Sequence, residues 1–264
     1  MAAVPASTRL VRLHLCSRAR GLCLDVNLSP DGHCNFDCIY CCFERSPEAQ
    51  AQPVTVPGLL DEVVALVTAA TAAPPAESEH QLRQISLSGT GEPTLSPHFL
   101  EIVEGLAHLR ATRRIPLLKL VLVTNGAGLG LPLVQQGLRL LCAEDEVWVK
   151  LDAGEQVWMD RVNRAEVPLA QVLGNIVELG RRRSIVIQSL FPSVDGAGPA
   201  PGQIAAYLAC LQSLRDRGTR IEQVQIYSAS RPAGRTGCGH LPLRVLSEIA
   251  RAVRTTTGLR AEVY

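Results

Sequence analysis

Short apolar runs alternate along this chain with longer runs of helical periodicity, from about residue 22 to the C-terminus. Short apolar runs are typical of buried strands, and the longer runs carry the apolar stripe of a surface helix. Six such pairs predict six βα units, and therefore an α/β fold with a parallel sheet and helices outside it. We expect a (βα)6 partial TIM barrel, with an open doubly wound sheet as the alternative.

The expected boundaries follow from these runs and from the turn signals between them, such as Asn125-Gly126. Strands are predicted at Leu22–Leu28, Gln84–Ser88, Lys119–Thr124, Glu146–Asp152, Ser184–Leu190 and Glu222–Ser228. Helices are predicted near residues 58–70, 97–110, 131–142, 169–182, 203–217 and 242–256.

Polar residues interrupt the predicted strands at alternate positions, mostly near their C-terminal ends. Because strand side chains alternate between two faces, each polar set occupies one face of its strand. Together the sets predict a polar mouth at the C-terminal end of the barrel, where barrel enzymes carry their chemistry. The residues are Asp25, Asn27, Ser86, Ser88, Thr124, Asn125, Lys150, Asp152, Gln188, Gln225 and Tyr227.

The length of 264 residues suits one barrel domain. We expect a core domain over residues 16–264, preceded by a flexible arm over residues 1–15. The formal net charge is +1, which provides no general field to attract a polyanion, so a nucleic-acid partner is not favoured. No apolar run reaches the length of a membrane span, so no membrane partner is expected.

The chain contains nine cysteines, an odd number, and lacks the apolar run of a secretory signal. This combination favours metal binding over disulfides, and it predicts a reducing, cytoplasmic location. The arginine-containing N-terminus leaves a cleaved transit peptide as the less favoured alternative.

Cys34, Cys38 and Cys41 lie directly after the first predicted strand with the spacing C-x-x-x-C-x-x-C. Three thiolates at this spacing can converge on one small iron–sulfur cluster. Three protein ligands for four irons leave one iron open for chemistry. The alternatives are a zinc site completed by His33 or Cys42, although no second C-x-x-C pair follows, and a reduced, inert group of cysteines.

A glycine-rich turn, Gly89-Thr90-Gly91-Glu92-Pro93, follows the second predicted strand. Glycines let the backbone approach a ligand closely, and the Glu92 carboxylate can accept hydrogen bonds from an ammonium group. By itself the turn fits an ordinary strand-to-helix connection equally well.

Lys150 lies on the polar face of its strand and is open to three interpretations. A lysine in a low-dielectric barrel can lose its proton and become nucleophilic, or it can bind a substrate carboxylate. We favour a third interpretation, an ion pair with a neighbouring acid such as Asp25. Arg231, in the loop after the sixth strand, is a candidate for binding an anionic group or a solvated loop residue.

An auxiliary cluster would need three or four further ligands. The other candidates, Cys16, Cys23 and Cys238, are scattered along the chain. Single buried cysteines are usually small packing residues, so a second cluster is not favoured.

The cysteine segment, with an aromatic residue directly before its third cysteine, resembles the motif of the radical S-adenosylmethionine (SAM) superfamily. That resemblance implies a [4Fe–4S] cluster held by Cys34, Cys38 and Cys41, with SAM chelating the fourth iron. It also implies that Tyr40 lies near the adenine of SAM.

The turn after the second strand resembles the GGE-type motif of the same superfamily, which binds the amino group of SAM. Gly89, Thr90, Gly91 and Glu92 are thereby implied to bind the cofactor, although Thr90 replaces a glycine. A polar ribose contact is often found on the fourth or fifth strand in this superfamily, so Asp152 and Gln188 are the candidates here.

The resemblance implies reductive cleavage of SAM to a 5′-deoxyadenosyl radical, which abstracts hydrogen from an unidentified small-molecule or macromolecular substrate. Lys150, Tyr227 and Arg231 are the expected substrate contacts. A reducing partner such as a flavodoxin or ferredoxin is also expected.

Further stretches resemble the branch that includes the tRNA wyosine-base synthases, among them Leu151-Asp152-Ala153, Val162-Asn163-Arg164 and Gln225-Ile226-Tyr227. Synthases of the archaeal type carry a second cluster on three upstream cysteines and extra basic elements, so a tRNA substrate is an alternative and is not favoured. A glycyl-radical-enzyme activase and a non-catalytic metal-binding regulatory module stay open as well.

Overall fold

The computed structural model describes residues 10–43, 55–72, 80–229 and 237–264. Its strands are β1 Val11–Cys16, β2 Gly21–Asn27, β3 Leu82–Ser88, β4 Lys119–Thr124, β5 Glu146–Lys150, β6 Ile185–Leu190, β7 Ser193–Val194, β8 Ile221–Tyr227, β9 Cys238–Gly239 and β10 Ala261–Val263. Its α-helices are α1 Val56–Thr71, α2 Phe99–Ala111, α3 Pro132–Leu140, α4 Gln156–Val162, α5 Leu169–Arg182, α6 Pro201–Asp216 and α7 Leu243–Thr257, and a short 3-10 helix covers Pro93–Leu95.

The main sheet has eight strands in the order β1-β2-β3-β4-β5-β6-β8-β10. The six predicted strands are present, and every neighbouring pair among them is parallel. Their spatial order follows the chain order without reversal, whereas a doubly wound sheet reverses at its switch point. The (βα)6 partial-barrel prediction is therefore confirmed, and the doubly wound alternative is wrong.

Both edges of the sheet carry a strand in addition to the six predicted ones. At one edge, β10 pairs in parallel with β8. At the other edge, β1 pairs antiparallel with β2, so the predicted arm over residues 1–15 does not extend through the strand that begins at Val11. The chain reverses there in a tight turn, where Arg20 has a φ of 51° and its backbone N–H donates to the Ser17 carbonyl. Residues 1–9 of the predicted arm lie outside the described residues.

The register largely confirms the predicted polar face. Asp25 lies beside Ser86, and Lys150 lies beside Gln188, which in turn lies beside Gln225. These neighbours share a face because paired positions in a parallel sheet point the same way. Thr124 is the exception: it lies beside Val149, on the opposite, apolar face.

The opposite face forms the main hydrophobic core with the helices. Its strand residues are apolar and fully buried, as Leu24, Ile85, Leu122 and Ile187 illustrate. A second, smaller cluster of Val121, Val123, Trp148 and Val186 lies on the polar face instead. The sheet thus has one face covered by helices and one concave face that is mixed in polarity, as expected for the lining of a barrel.

Six of the seven described α-helices match the predicted positions, and their apolar residues recur at the helical period. In α5, Leu169, Val172, Ile176 and Leu179 recur at the helical period and are buried. The last helix, α7, ends at Gly258, whose φ of 68° is the left-handed conformation that a helix C-cap favours. None of the described helices combines the length and the apolar composition required to cross a bilayer.

Candidate functional site

The predicted cluster loop is docked against the segment that follows α4. Phe36 and Ala165 form an isolated antiparallel bridge. The backbone N–H of Ile39 donates to the Val162 carbonyl over 2.9 Å, and the Asp37 N–H donates to the Asn163 carbonyl over 3.0 Å. These backbone contacts hold the loop beside the C-terminal ends of the central strands.

Two of the three predicted ligand sulfurs accept a hydrogen bond from an asparagine side chain. Asn125 Nδ2 lies 3.8 Å from Cys34 Sγ, and Asn163 Nδ2 lies 3.5 Å from Cys38 Sγ. The third thiol, Cys41, donates to the Phe43 carbonyl over 3.8 Å. Cys38 is buried, whereas Cys34 and Cys41 are partly exposed.

The surroundings of Cys38 act on its protonation in two directions. Burial raises the pKa of the Cys38 thiol, and the positive charge of Lys150 partly offsets that increase. Metal binding requires the thiolate, so the nearby cation and the hydrogen bond from Asn163 favour the form that binds iron.

The described cysteines do not form a ready-made site for a single metal ion. Among the described residues, no three His, Cys, Asp or Glu side chains stand close enough together to hold one metal ion. In a [4Fe–4S] cluster the thiolates bind different irons, so they are held farther apart than the four ligands of one zinc. A preassembled zinc site with His33 or Cys42 is therefore not supported by the geometry.

The glycine–glutamate turn packs directly on the cluster loop. A Cβ atom at Gly91 would lie 2.0 Å from the His33 carbonyl oxygen, so no larger residue fits there without moving one backbone away from the other. The backbone N–H of Glu92 donates to that same oxygen over 2.8 Å. The Thr90 hydroxyl donates to the Ser29 carbonyl over 2.6 Å, which adds a further tie between the two loops.

The Glu92 carboxylate is buried and extensively hydrogen bonded. Its Oε1 accepts from the Thr94 hydroxyl at 2.6 Å and from the Thr124 hydroxyl at 2.5 Å, and its Oε2 accepts from the Asn125 N–H at 2.8 Å. Burial raises the pKa of Glu92, and the hydrogen bonds partly offset the increase.

Through its hydrogen bond to Glu92, Thr124 contributes to the polar mouth even though it lies on the opposite face of its strand. Glu92 joins the ends of β3 and β4, and ammonium binding at the second lone pair of Oε2 stays a prediction.

Asp152 is the centre of a second buried network. Its Oδ2 accepts from the Tyr40 hydroxyl and from Asn163 Nδ2 at 2.7 Å, and it forms an ion pair with the Lys150 ammonium at 3.5 Å. Its Oδ1 accepts from the Leu190 N–H at 2.7 Å. Each carboxylate oxygen can accept about two hydrogen bonds, so a ribose contact, which stays a prediction, would use the second lone pair of Oδ1 or replace a partner of Oδ2.

Lys150 forms its ion pair with Asp152, and not with Asp25 as expected from the sequence. Asp25 instead lies 3.3 Å from His14 on the edge strand β1, which is not one of the six predicted strands. Lys150 also donates to the Tyr227 hydroxyl over 3.2 Å. Burial lowers the pKa of Lys150, but Asp152 and then Tyr227 more than offset this and raise it above its ordinary value. Lys150 is therefore held as a cation rather than as a nucleophilic amine.

The remaining predicted residues are distributed across the concave face. Gln188 Nε2 donates to Gln225 Oε1 over 2.9 Å, and both side chains are buried. Tyr227 lies under the guanidinium of Arg18, with 4.4 Å between Cζ and the ring centre. Arg18 also lies 5.7 Å from the ring of Tyr264, so it links the β1–β2 hairpin to the far edge of the sheet. Arg231 lies outside the described residues.

Cys16 and Cys23 lie on the β1–β2 hairpin, and Cys238 lies on β9. The hydrogen bond between the Cys16 and Cys23 thiols lowers the pKa of Cys16 and raises that of Cys23. Because the three residues occupy different elements, the described structure gives no support to an auxiliary cluster built on them.

Asn163 and Arg18 contact the site but were not predicted as site residues. Asn163 follows α4, a helix that was not predicted, and its only signal was its place in one of the stretches on which the resemblance rests. Arg18 lies near the start of the predicted core domain, and no sequence pattern indicates that it contacts Tyr227.

No family model matches the chain. The chain is similar to the UPF0026 protein of Helicobacter pylori strain ATCC 700392 / 26695, with 26% identity over 214 residues that cover 80% of this chain and 59% of that protein. It is 28% identical over 165 residues to the UPF0026 protein of strain J99, covering 61% of this chain and 47% of that protein. The chain therefore spans about half the length of the curated relatives it matches.

Many solved structures resemble the fold, and three of them illustrate the likeness. A radical SAM methyltransferase from Sphaerobacter thermophilus has a TM-score of 0.65 and 15% identity, covering 96% of this chain and 68% of that chain. Streptococcus suis SuiB bound to S-adenosylmethionine has a TM-score of 0.62 and 12% identity, covering 94% and 52%. TYW1 with a lysine-pyruvate adduct bound has a TM-score of 0.59 and 13% identity, covering 94% and 84%.

At these identities the likeness concerns the fold. The chain has the fold of radical SAM enzymes, which confirms the predicted resemblance to that superfamily at the level of the fold.

Proposed function

We propose that this protein is a radical SAM enzyme that binds a [4Fe–4S] cluster through Cys34, Cys38 and Cys41. When bound, the cluster supplies one electron for the reductive cleavage of SAM to a 5′-deoxyadenosyl radical, which abstracts hydrogen from a substrate. The observation that carries the proposal is the backbone hydrogen bond of 2.8 Å between the Glu92 N–H and the His33 carbonyl. It joins the two motifs at the C-terminal end of a partial barrel.

The chain contributes positioning to this reaction. Gly91 allows the turn to lie against the cluster loop, so that a ligand can contact both. Glu92 is the proposed acceptor for the SAM ammonium, and Gly89 and Thr90 are the proposed backbone contacts. Tyr40 is proposed to lie near the adenine.

Asp152 and Gln188 are the proposed ribose contacts. Both are buried, Asp152 just after β5 and Gln188 on the neighbouring strand β6. Of the groups at Asp152 Oδ2, Lys150 lies farthest away, at 3.5 Å, so we propose that this is the contact that yields where a ribose hydroxyl binds that oxygen.

The substrate side is proposed to be the concave face near Lys150 and Tyr227, with Arg231 as a further contact. A protonated Lys150 suits a substrate that carries a carboxylate or another anionic group. TYW1 holds a lysine-pyruvate adduct in its solved structure. To form such an adduct, Lys150 would have to lose its proton, and its ion pair with Asp152 opposes that loss. We therefore propose a tRNA-modifying, wyosine-synthase-like reaction only as the second candidate. A flavodoxin or ferredoxin remains the proposed electron donor.

The first test is an anaerobic reconstitution with iron and sulfide, followed by dithionite and SAM, with 5′-deoxyadenosine measured by chromatography. We expect product from the wild type and none from a Cys34→Ala/Cys38→Ala/Cys41→Ala variant. Cys42→Ala is the matched control, because Cys42 lies on the same loop and is not a proposed ligand, and it should retain activity.

Two outcomes would contradict the proposal. One is a protein loaded with four irons that neither binds SAM nor forms 5′-deoxyadenosine. The other is preferential binding of zinc with loss of that zinc in Cys42→Ala, which would favour the metal-binding regulatory module. Reactivity toward a glycyl-radical enzyme in the same assay would instead identify an activase.

A further inference from the structure

Asn163 has a side chain that does not serve the helix it follows. The backbone of Asn163 completes α4, since its N–H donates to the Met159 carbonyl over 2.8 Å. Its carbonyl accepts from the Asp37 N–H. The buried side-chain amide is directed instead at the cluster loop and the concave face, so its role can be tested apart from the role of the backbone.

The Asn163 amide nitrogen meets three acceptors. Nδ2 lies 3.5 Å from Cys38 Sγ, 2.7 Å from the Tyr40 hydroxyl and 2.7 Å from Asp152 Oδ2. An amide nitrogen carries two hydrogens, so one can bind the sulfur while the other is shared by the two oxygens. Asn163 thus connects a proposed cluster ligand to the network that holds Lys150.

A hydrogen bond to a ligand sulfur acts on the reduction of a cluster. Reduction adds negative charge that spreads onto the thiolates, and a donor aimed at the sulfur stabilises that charge. The reduced form is therefore favoured, and the reduction potential rises. Asn125 is the weaker donor of the two because its nitrogen lies farther from the sulfur, 3.8 Å from Cys34 Sγ against 3.5 Å for Asn163 and Cys38 Sγ.

We propose that Asn163 is a positioning residue that raises the reduction potential of the cluster bound at Cys38. The proposal rests on the proposed function, since it requires the cluster. The assigned role belongs to the side-chain N–H directed at the sulfur, while the other N–H of the same amide contacts Asp152 and Tyr40.

The test compares the reconstituted wild type with Asn163→Leu in an anaerobic redox titration followed by electron paramagnetic resonance. We expect Asn163→Leu to retain four irons and to show an about tenfold smaller ratio of reduced to oxidised cluster at a given ambient potential, which is 59 mV for a one-electron couple. Asn175→Leu is the matched control, because its amide donates to the Gly126 and Ala127 carbonyls and to no sulfur. It should leave the potential unchanged even where it lowers thermal stability.

An unchanged potential in a fully loaded Asn163→Leu variant overturns the inference, as does an equal shift in Asn175→Leu. If Asn163→Leu fails to take up iron, Asn163→Ser serves in its place, because a serine keeps a polar group but is too short to reach the sulfur. If neither loads, an Asn125→Ser protein carrying ¹⁵N in its asparagine side chains decides, because the Asn125 amide that also approaches a ligand sulfur is then absent. Nitrogen coupling to the reduced cluster supports the inference, and its absence overturns it. A wild type that assembles no cluster contradicts the proposed function instead.

Discussion

Strand β5 has a buried aspartate at each end, and the two have different surroundings. Asp145, before the strand, accepts two hydrogen bonds from the Arg110 guanidinium at 2.7 and 2.8 Å and one each from the backbone N–H groups of Leu120 and Cys142. Burial alone would raise the pKa of Asp145, but Arg110 and the backbone donors more than offset it, so the pKa is lowered. Every one of these partners belongs to the scaffold.

Asp152, after the strand, is surrounded by groups that also contact the candidate site. Tyr40 and Asn163 donate to it and also approach Cys38, and Lys150 is one-fifth exposed, with a relative side-chain area of 20%. The same physics, a buried carboxylate compensated by donors, therefore stabilises the fold at one end and arranges a site at the other. This division matches the general separation of stability and chemistry between the two ends of a barrel.

The largest expected effect is on stability at the N-terminal end. Asp145→Asn leaves the buried Arg110 cation without its counter-charge, which should cost about 3–5 kcal/mol in the free energy of unfolding. A second change, Arg110→Met, should recover most of that loss, because no buried charge then remains. Urea denaturation of the anaerobically reconstituted proteins measures both. An Asp145→Asn variant whose free energy of unfolding lies within about 1 kcal/mol of the wild-type value would contradict the role given to the Arg110–Asp145 pair.

At the C-terminal end of β5, we expect a smaller effect on stability together with a loss of activity. Asp152→Asn should cost about 1–3 kcal/mol, less than Asp145→Asn, because Lys150 keeps Tyr227 and some solvent. Adding Lys150→Met should restore stability and still leave 5′-deoxyadenosine formation at least about tenfold below the wild type, a loss of about 1.4 kcal/mol in transition-state stabilisation. If the double variant recovers both activity and stability, Asp152 would serve only to stabilise the fold, as Asp145 does.

The smallest expected effect is on the pH dependence of the free energy of unfolding. The pKa shifts of Asp145 and Glu92 have opposite signs, so the two residues change stability with pH in opposite directions. The pKa of Glu92 is raised by burial, so the folded protein is more stable with Glu92 protonated than with Glu92 ionised. The wild type should gain stability relative to Glu92→Gln as the pH falls from neutral through that raised pKa. The slope of this gain is at most about 1.4 kcal/mol per pH unit, the limit for one proton taken up by the folded state alone.

The pKa of Asp145 is lowered, so its contribution should stay constant over the same range and decline only as the pH falls below its unfolded value, about 3.9. Urea midpoints measured between about pH 8 and pH 3 test both. A Glu92→Gln variant that follows the wild type throughout would contradict the assignment of the titrating group.

Much of the fold could be predicted because it depends on local periodicity. Strand β4 and helix α5 lie at their predicted bounds, and the other predicted elements differ by a few residues at their ends. Strand β5 ends at Lys150 rather than at Asp152, since the Asp152 carboxylate binds the Leu190 N–H. Helix α4 and strand β10 were missed because they are short and their sequences carry a weak periodic signal.

The sequence by itself determined the βα alternation and the order of the cysteine and glycine–glutamate motifs, because both depend on residues close together in the chain. Only the tertiary structure decided which charges meet: Lys150 with Asp152, Asp25 with His14, and the Asn163 amide with Cys38, a contact across 125 positions of sequence. Such pairs are set by how strands align and loops dock. A shift of one residue in register would move every side chain of a strand to the other face and break them.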